Sequence, residues 1–127
     1  MDVPNTLKYA ESHEWLRVEG DDLCVSGITD YAQHELTDIV YVDYQVEADD
    51  EVEIGGVVAI IESVKTAAEV YAPISGTVIE VNEGLEESPE KVNQEPYEAW
   101  FLKIKPSKKE EIDNLLTANA YQKQISQ

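Results

Sequence analysis

The sequence predicts a mainly β fold, a compact barrel or sandwich in a single domain. Three observations carry this. Short β-prone segments follow one another closely, Gly, Pro, Asn and Asp punctuate them, and no long amphipathic stretch is available to cross between parallel strands. With 127 residues of which 43% are hydrophobic, the chain has material for one core of ordinary size.

The elements follow in order. Residues 1 to 10 read as a loosely held arm, flexible over 1–6, with Pro4 and Asn5 ahead of Leu7 and Tyr9. The run SHEWLRVEGDDLCVSGI predicts a hairpin, with strands at 15–18 and 23–28 and a turn over 19–22 built on Gly20. Thr29 is a good N-cap for a short helix over 30–36, and Asp30 suits its first turn. IVYVDY is strongly β-prone, EVEI alternates over 51–54, and Gly55-Gly56 makes a turn. A hairpin follows at 57–72, then a tight turn at 73–76. In the TVIEVN strand Thr77, Ile79 and Val81 should face one way, and Val78, Glu80 and Asn82 the other. Residues 84–96 look loop-like, with Ser88-Pro89 able to start one helical turn, and a last strand spans 100–105. From 107 to 127 a C-terminal helix is expected to pack on the barrel. Ser107 and Glu110 have capping-box spacing, and Ile112, Leu115, Leu116 and Ala120 form its apolar stripe. The segments VSGIT and ISGTV, 49 positions apart, resemble each other and could trace two similar half-sheets.

Charge excludes some partners. Nine basic and 27 acidic residues give −18, which disfavours nucleic acid and anionic membranes, since both need Lys and Arg to replace counterions. Docking partners should have neutral or basic faces, unless the acidity serves solubility alone. Cys24 is the lone cysteine, so it can form no intrachain disulfide, and its alternation with Leu23 and Val25 makes it a packed structural residue. The longest aliphatic run, 57–61, is too short to span a membrane, and MDVPNTLK lacks a signal-peptide pattern, so a cytoplasmic monomer is expected.

One stretch stands apart. In VVAIIESVKTAAEVYAP, two β-type segments at 57–61 and 69–72 flank a polar turn bearing Lys65, which should therefore stand at a hairpin tip. Between Arg17 and Lys91 it is the only Lys or Arg, among nineteen carboxylates from Glu19 to Glu90. Spacing alone leaves open whether this lysine is a functional amine or one that solubilises an edge. Elsewhere the usual catalytic patterns are missing: there is no GxSxG, HExxH or Gly-rich phosphate loop, and His34 on the short helix reads as exposed and inert. A carrier or binding module is the better class than an enzyme.

Four blocks, KYAESHEWLRVEG, GITDYAQHELTDIVYV, ESVKTAAEVYAPISG and EPYEAWFLKIKPS, resemble the H-protein family of the glycine cleavage system, in the family's order and over nearly the whole chain. The resemblance implies a lipoyl/biotinyl-type barrel-sandwich hybrid with a short helix after the first hairpin and a C-terminal helix. It implies a non-catalytic carrier in glycine catabolism, with lipoic acid joined by an amide bond to Lys65 as a swinging arm. Glu62 would be the contact for the lipoyl-attaching enzyme. Ser12, Glu14 and Glu69 would line the cleft that shelters the aminomethyl-loaded arm. The implied partners are a pyridoxal-phosphate glycine decarboxylase, a tetrahydrofolate-dependent aminomethyltransferase and dihydrolipoamide dehydrogenase.

The chain departs from the family pattern in three places. Ala68-Glu69 stands where Ser-Asp is usual, YQVEADDEV replaces a loop with Leu-Pro and Gly, and PYEAWF lacks the usual glycine. These keep open an H-like lipoate-binding protein serving sulfur oxidation or lipoyl relay. A biotin carrier fits less well, because Val64 and Thr66 flank the lysine where biotin domains usually have Met.

Overall fold

A computed structural model describes residues 1–126. Two antiparallel sheets face each other as an open barrel-sandwich. The larger has six strands: β1 (Lys8–Tyr9), β2 (Glu14–Gly20), β3 (Leu23–Ile28), β9 (Leu102–Pro106), β8 (Gly76–Val81) and β5 (Glu51–Val52) in spatial order. The smaller holds β4 (Ile39–Tyr44), β6 (Val57–Ser63) and β7 (Ala67–Tyr71), with β6 central. Five helical pieces attach to this frame among the described residues: α1 (Asp30–Leu36), α2 (Gly84–Glu87), α3 (Lys91–Gln94), α4 (Glu110–Asp113) and α5 (Ala118–Ile125).

Strands and the segments that join them supply the core. Leu16, Ile61, Ile74, Phe101, Leu102 and Ile104 are all 1% exposed or less and meet between the sheets. Each such side chain contributes about 1.5–3 kcal/mol by leaving water. A second cluster, Leu7, Tyr9, Trp15, Val25 and Tyr121, packs on the other face of the large sheet. Gly27 makes that cluster possible, because a Cβ there would come within 2.7 Å of the Trp15 ring. The indole is then fixed by its Nε1–H, which donates to the Pro96 carbonyl at 3.0 Å.

Most predicted elements are present. Thr29 caps α1 by accepting from the Ala32 amide at 3.2 Å, and Gly55 turns with φ +83° ahead of β6. Cys24 is buried, which pushes its thiol pKa up. The two similar segments both lie in the large sheet, where β3 and β8 flank β9.

Several expectations are corrected. The arm is tied down: Leu7 and Tyr9 are buried, the Asp2 amide donates to Asp30, and the Tyr9 hydroxyl donates to the Pro4 carbonyl. The C-terminal helix is not continuous, because residues 114–117 serve other needs. Leu116 exchanges backbone hydrogen bonds with Tyr9 at 2.7 and 2.9 Å, and Thr117 then caps α5 through the Ala120 amide. No capping box forms at Ser107; α4 starts at Glu110, and its Glu111 carboxylate instead accepts from the amide and hydroxyl of Ser75 at 2.7 and 3.0 Å. The first hairpin turns at Asp21-Asp22, with Gly20 paired to Leu23. A register shift between Val78 and Glu80 breaks the simple alternation of β8: Val78 and Val81 both turn to the core, while Ile79 and Glu80 are both exposed. Residues 84–96 hold two helical turns, α2 and α3, where one was expected.

Candidate functional site

The β6–β7 hairpin carries Lys65 at its tip. Glu62 pairs with Ala67, the Ser63 amide donates to the Thr66 carbonyl at 2.8 Å, and Val64 and Lys65 are the two central residues. The sequence makes this turn locally. The Ser63 hydroxyl oxygen accepts from the amides of Lys65 and Thr66 at 3.2 and 3.0 Å, satisfying donors that the ladder leaves free. The Val64 amide donates to the Asp38 carbonyl at 3.0 Å, which ties the tip to the entry of β4. Val64 itself is 69% exposed, and the Lys65 side chain is exposed beside it. The ammonium reaches the Glu35 carbonyl oxygen of α1 at 3.3 Å. Glu62, three residues before the lysine, lies exposed on β6 opposite Tyr41.

Glu35 belongs to the wall of a cleft of about 310 Å³ that opens next to the tip. Its apolar lining is Ile28, Ala32, Leu36, Ile61, Ala68 and Val70; its polar lining is Ser12, His13, Glu14, Tyr31, Glu35 and Glu69. Four separate segments thus converge: the approach to β2, the end of β3, α1, and the β6–β7 hairpin. Ser12, Glu14 and Glu69 line one space, whereas Glu62 lies outside it.

Glu14 is the unusual group. It is 1% exposed, and its carboxylate accepts from the Ser12 hydroxyl and, at 3.1 Å, from the Tyr71 amide. Burial raises its pKa to about 7, against the opposing pull of the bonds from Ser12 and Tyr71. Near neutrality this carboxyl is poised between its two forms. Glu69 sits at the rim, where it accepts from the Tyr71 hydroxyl at 2.9 Å; that bond pushes the Tyr71 phenol up. Tyr71 therefore touches both carboxylates, one with its backbone and one with its side chain.

Tyr71, His13, Tyr31 and Glu35 were not singled out by the sequence. Tyr71 and Tyr31 carried no signal, since an alternating strand and a capped helix account for them. His13 could have been found only through its neighbours Ser12 and Glu14. Its φ of +78° aims it into the cleft and away from the strand that starts at Glu14.

The chemistry open to this arrangement is retention of a cation on an apolar stem. The hydrocarbon wall suits a stem, and the carboxylates and Ser12 hydroxyl offer acceptors to an ammonium. Holding one amine out on a hairpin tip, with a cleft beside it that could receive whatever the amine bears, is the design of a carrier domain. A model of the glycine cleavage H-protein family matches residues 7–127. The chain belongs to that family, and its role is that of a lipoyl carrier in the glycine cleavage system. It is 49% identical to the glycine cleavage system H protein of Staphylococcus carnosus (strain TM300) and 50% identical to that of Staphylococcus haemolyticus (strain JCSC1435), each over 128 aligned residues covering all of both chains. The crystal structure of a glycine cleavage system H protein from Mycobacterium marinum superposes with a TM-score of 0.89 at 30% identity, covering 98% of this chain and 100% of that one.

Proposed function

We propose that Lys65 carries lipoic acid in amide linkage and that the chain, itself without catalytic activity, shuttles an aminomethyl group from a pyridoxal-phosphate glycine decarboxylase to a tetrahydrofolate-dependent aminomethyltransferase. Dihydrolipoamide dehydrogenase then restores the arm. The observation that carries this reading is the position of the Lys65 amine, 3.3 Å from the backbone of a helix that walls the cleft. When bound, the lipoyl group supplies a dithiolane whose sulfur accepts and releases the one-carbon cargo.

The chain's own residues do the rest. Ser63 fixes the turn so that the anchor is rigid while the side chain beyond it is free. Glu62, exposed and close in the chain to the lysine, is the contact that the lipoyl-attaching enzyme reads. Ile61, Leu36 and Val70 offer the hydrocarbon stem an apolar wall and keep water from it. Ser12, Glu14 and Glu69 accept hydrogen bonds from the ammonium cargo. A cation beside Glu14 draws that carboxyl into its ionised form, so cargo binding and proton release are linked at this group. The added methylene of Glu69, relative to the Asp usual in the family, is accommodated by the Tyr71 hydroxyl that holds it at the rim.

Intact mass after incubation with a lipoyl-attaching enzyme tests the first step: the reading requires one lipoyl-sized increment that maps to Lys65. Its pathway is tested by mixing the lipoylated chain with glycine decarboxylase and labelled glycine. Carbon dioxide exchange is expected, and its absence would count against glycine cleavage.

A further inference from the structure

The α1 wall of the cleft is a helix of seven residues with none of them buried. So short a helix does not hold itself in water; Ala32 and Leu36 rest on the core, and hydrogen bonds at both ends fix its orientation further. The C-terminal end is met by Asn93, which donates to the Gln33 side chain at 3.0 Å and to the Thr37 carbonyl at 2.8 Å. At the N-terminal end the Tyr97 hydroxyl accepts from the Asp30 amide at 3.1 Å, and the fully buried Thr29 caps the first turn.

That cap is not free-standing. Thr29 Oγ1 lies 2.7 Å from the hydroxyl of Tyr121, and the same hydroxyl lies 2.8 Å from His13 Nδ1. Tyr121 comes from α5, 92 residues away in sequence, and is fully buried, with its ring stacked on Tyr9 at 4.7 Å. His13 is joined to the same site by its backbone, since its carbonyl accepts from the Thr29 amide at 3.0 Å. Its ring packs on Tyr31 of α1 at 4.9 Å and lines the cleft.

The protons of this chain can be counted. Thr29 already accepts from the Ala32 amide and has one proton to give; Tyr121 has one. With Nδ1 of His13 unprotonated, Thr29 donates to Tyr121, Tyr121 donates to His13, and every proton has an acceptor. With both ring nitrogens protonated, Nδ1–H donates to Tyr121, and the tyrosine proton is left with Thr29 as its one acceptor. One of the two hydroxyl protons then has no acceptor, because Thr29 and Tyr121 share a single contact and neither oxygen has a further acceptor within reach among the described residues. A buried donor without a partner weakens the cap.

We propose that Tyr121 is a positioning residue: its hydroxyl, held between His13 and Thr29, ties the C-terminal helix to the N-cap of α1 and so fixes the helical wall of the cleft, and protonation of His13 loosens that tie. The consequence for a lipoyl arm rests on the function proposed above; the tie itself is a property of the unmodified chain. The groups facing the His13 ring are Glu35 and Tyr31 from α1 and Tyr121 from α5, with Glu14 next to it in the chain. Glu35 favours the protonated ring, while burial opposes it more strongly and lowers the His13 pKa.

The test uses the unmodified full-length chain and amide hydrogen exchange. In Tyr121→Phe, which keeps the ring stack on Tyr9, the amides of Ala32 and Gln33 should exchange at least about tenfold faster than in the wild type at pH 7.5. Those of β6 should change less than twofold. In the wild type the α1 amides, corrected for intrinsic exchange, should lose protection as the His13 ring titrates in the same sample. His13→Asn offers an acceptor oxygen near the place of Nδ1, tolerates a positive φ and takes up no proton, so its α1 protection should stay flat with pH. Equal α1 exchange in Tyr121→Phe and wild type, acceleration spread evenly over all strands, or a pH dependence that survives in His13→Asn would each overturn the proposal. Because no lipoyl group is involved, failure here leaves the mass increment on Lys65 untouched, and failure of that increment leaves this result untouched.

Discussion

The hairpin tip and the cleft beside it are built on opposite principles. The tip is mainly local: four consecutive residues, Ser63 to Thr66, close their own turn around the Ser63 hydroxyl, with one backbone bond from Val64 to Asp38, and leave the Val64 and Lys65 side chains in solvent. The cleft is assembled: Ser12, Glu14, Tyr31, Glu35 and Glu69 come from three parts of the chain, and its central carboxylate is 1% exposed. A group to be presented needs freedom, and a group that must grip a charged cargo needs desolvation, which strengthens each hydrogen bond it makes. The two needs cannot be met by one surface. A tether between them resolves the conflict, and the tip lies close enough to the α1 wall for a tether to serve both.

The largest effect that would break this division is at the anchor. Lys65→Arg retains the charge but offers no acylatable amine, so lipoyl incorporation should fall to zero by intact mass while the thermal midpoint moves by no more than about 1 °C, as for an exposed substitution. Retained incorporation would remove the tip from its role. At the grip, Glu14→Gln replaces a charge-assisted bond by a neutral one. The loaded arm should lose its aminomethyl group about ten- to a hundredfold faster at pH 8, read by the release of ammonia.

The same substitution has a stability signature of opposite sign. Burial raises the Glu14 pKa from 4.5 to about 7, so between these values the unfolded chain releases a proton that the folded chain keeps. Stability contributed by this group therefore falls as pH rises through that window and stays low above it. At ~1.4 kcal/mol per pKa unit, the penalty above pH 7 is about 3 kcal/mol. Glu14→Gln should recover about 1–2 kcal/mol of this in urea unfolding at pH 8, and the gain should vanish near pH 4. A smaller effect is expected outside the cleft. Glu62→Ala should slow lipoyl attachment by a few-fold, leaving the lifetime of the loaded arm unchanged. Smallest of all, Tyr71→Phe removes the hydroxyl that steadies Glu69 yet keeps the amide bond to Glu14; the lifetime should shorten by about twofold, the worth of one exposed hydrogen bond.

The same contrast decides what could be read from the sequence. The β6–β7 hairpin, the Thr29 cap and the β-rich architecture depend on residues near one another in the chain, and their spacing predicted them. Lys65 stood out because charge patterning is also local. The cleft residues Ser12, Glu14 and Glu69 entered only through family resemblance, since nothing in ESHEW or AAEVY states that they meet. Tyr71, His13 and Tyr121 were invisible for the same reason: their roles come from contacts across 57 to 108 residues. The misplaced C-terminal helix has a related cause. Ile112, Leu115, Leu116 and Ala120 do have helical spacing, but Leu116 bonds to Tyr9 of β1, and a tertiary contact of this kind overrides local propensity.

The central claim is that a charged cargo on the Lys65 arm is retained by a buried carboxylate whose own proton competes with it. It is tested most directly by the lifetime of the aminomethyl-loaded, lipoylated chain between pH 5 and 9, in wild type and Glu14→Gln. The account predicts a wild-type lifetime at least about tenfold longer at pH 8, with the gap closing on the acid side of 7 as Glu14 takes up its proton. Equal lifetimes at pH 8, or a gap that does not change with pH, would contradict it.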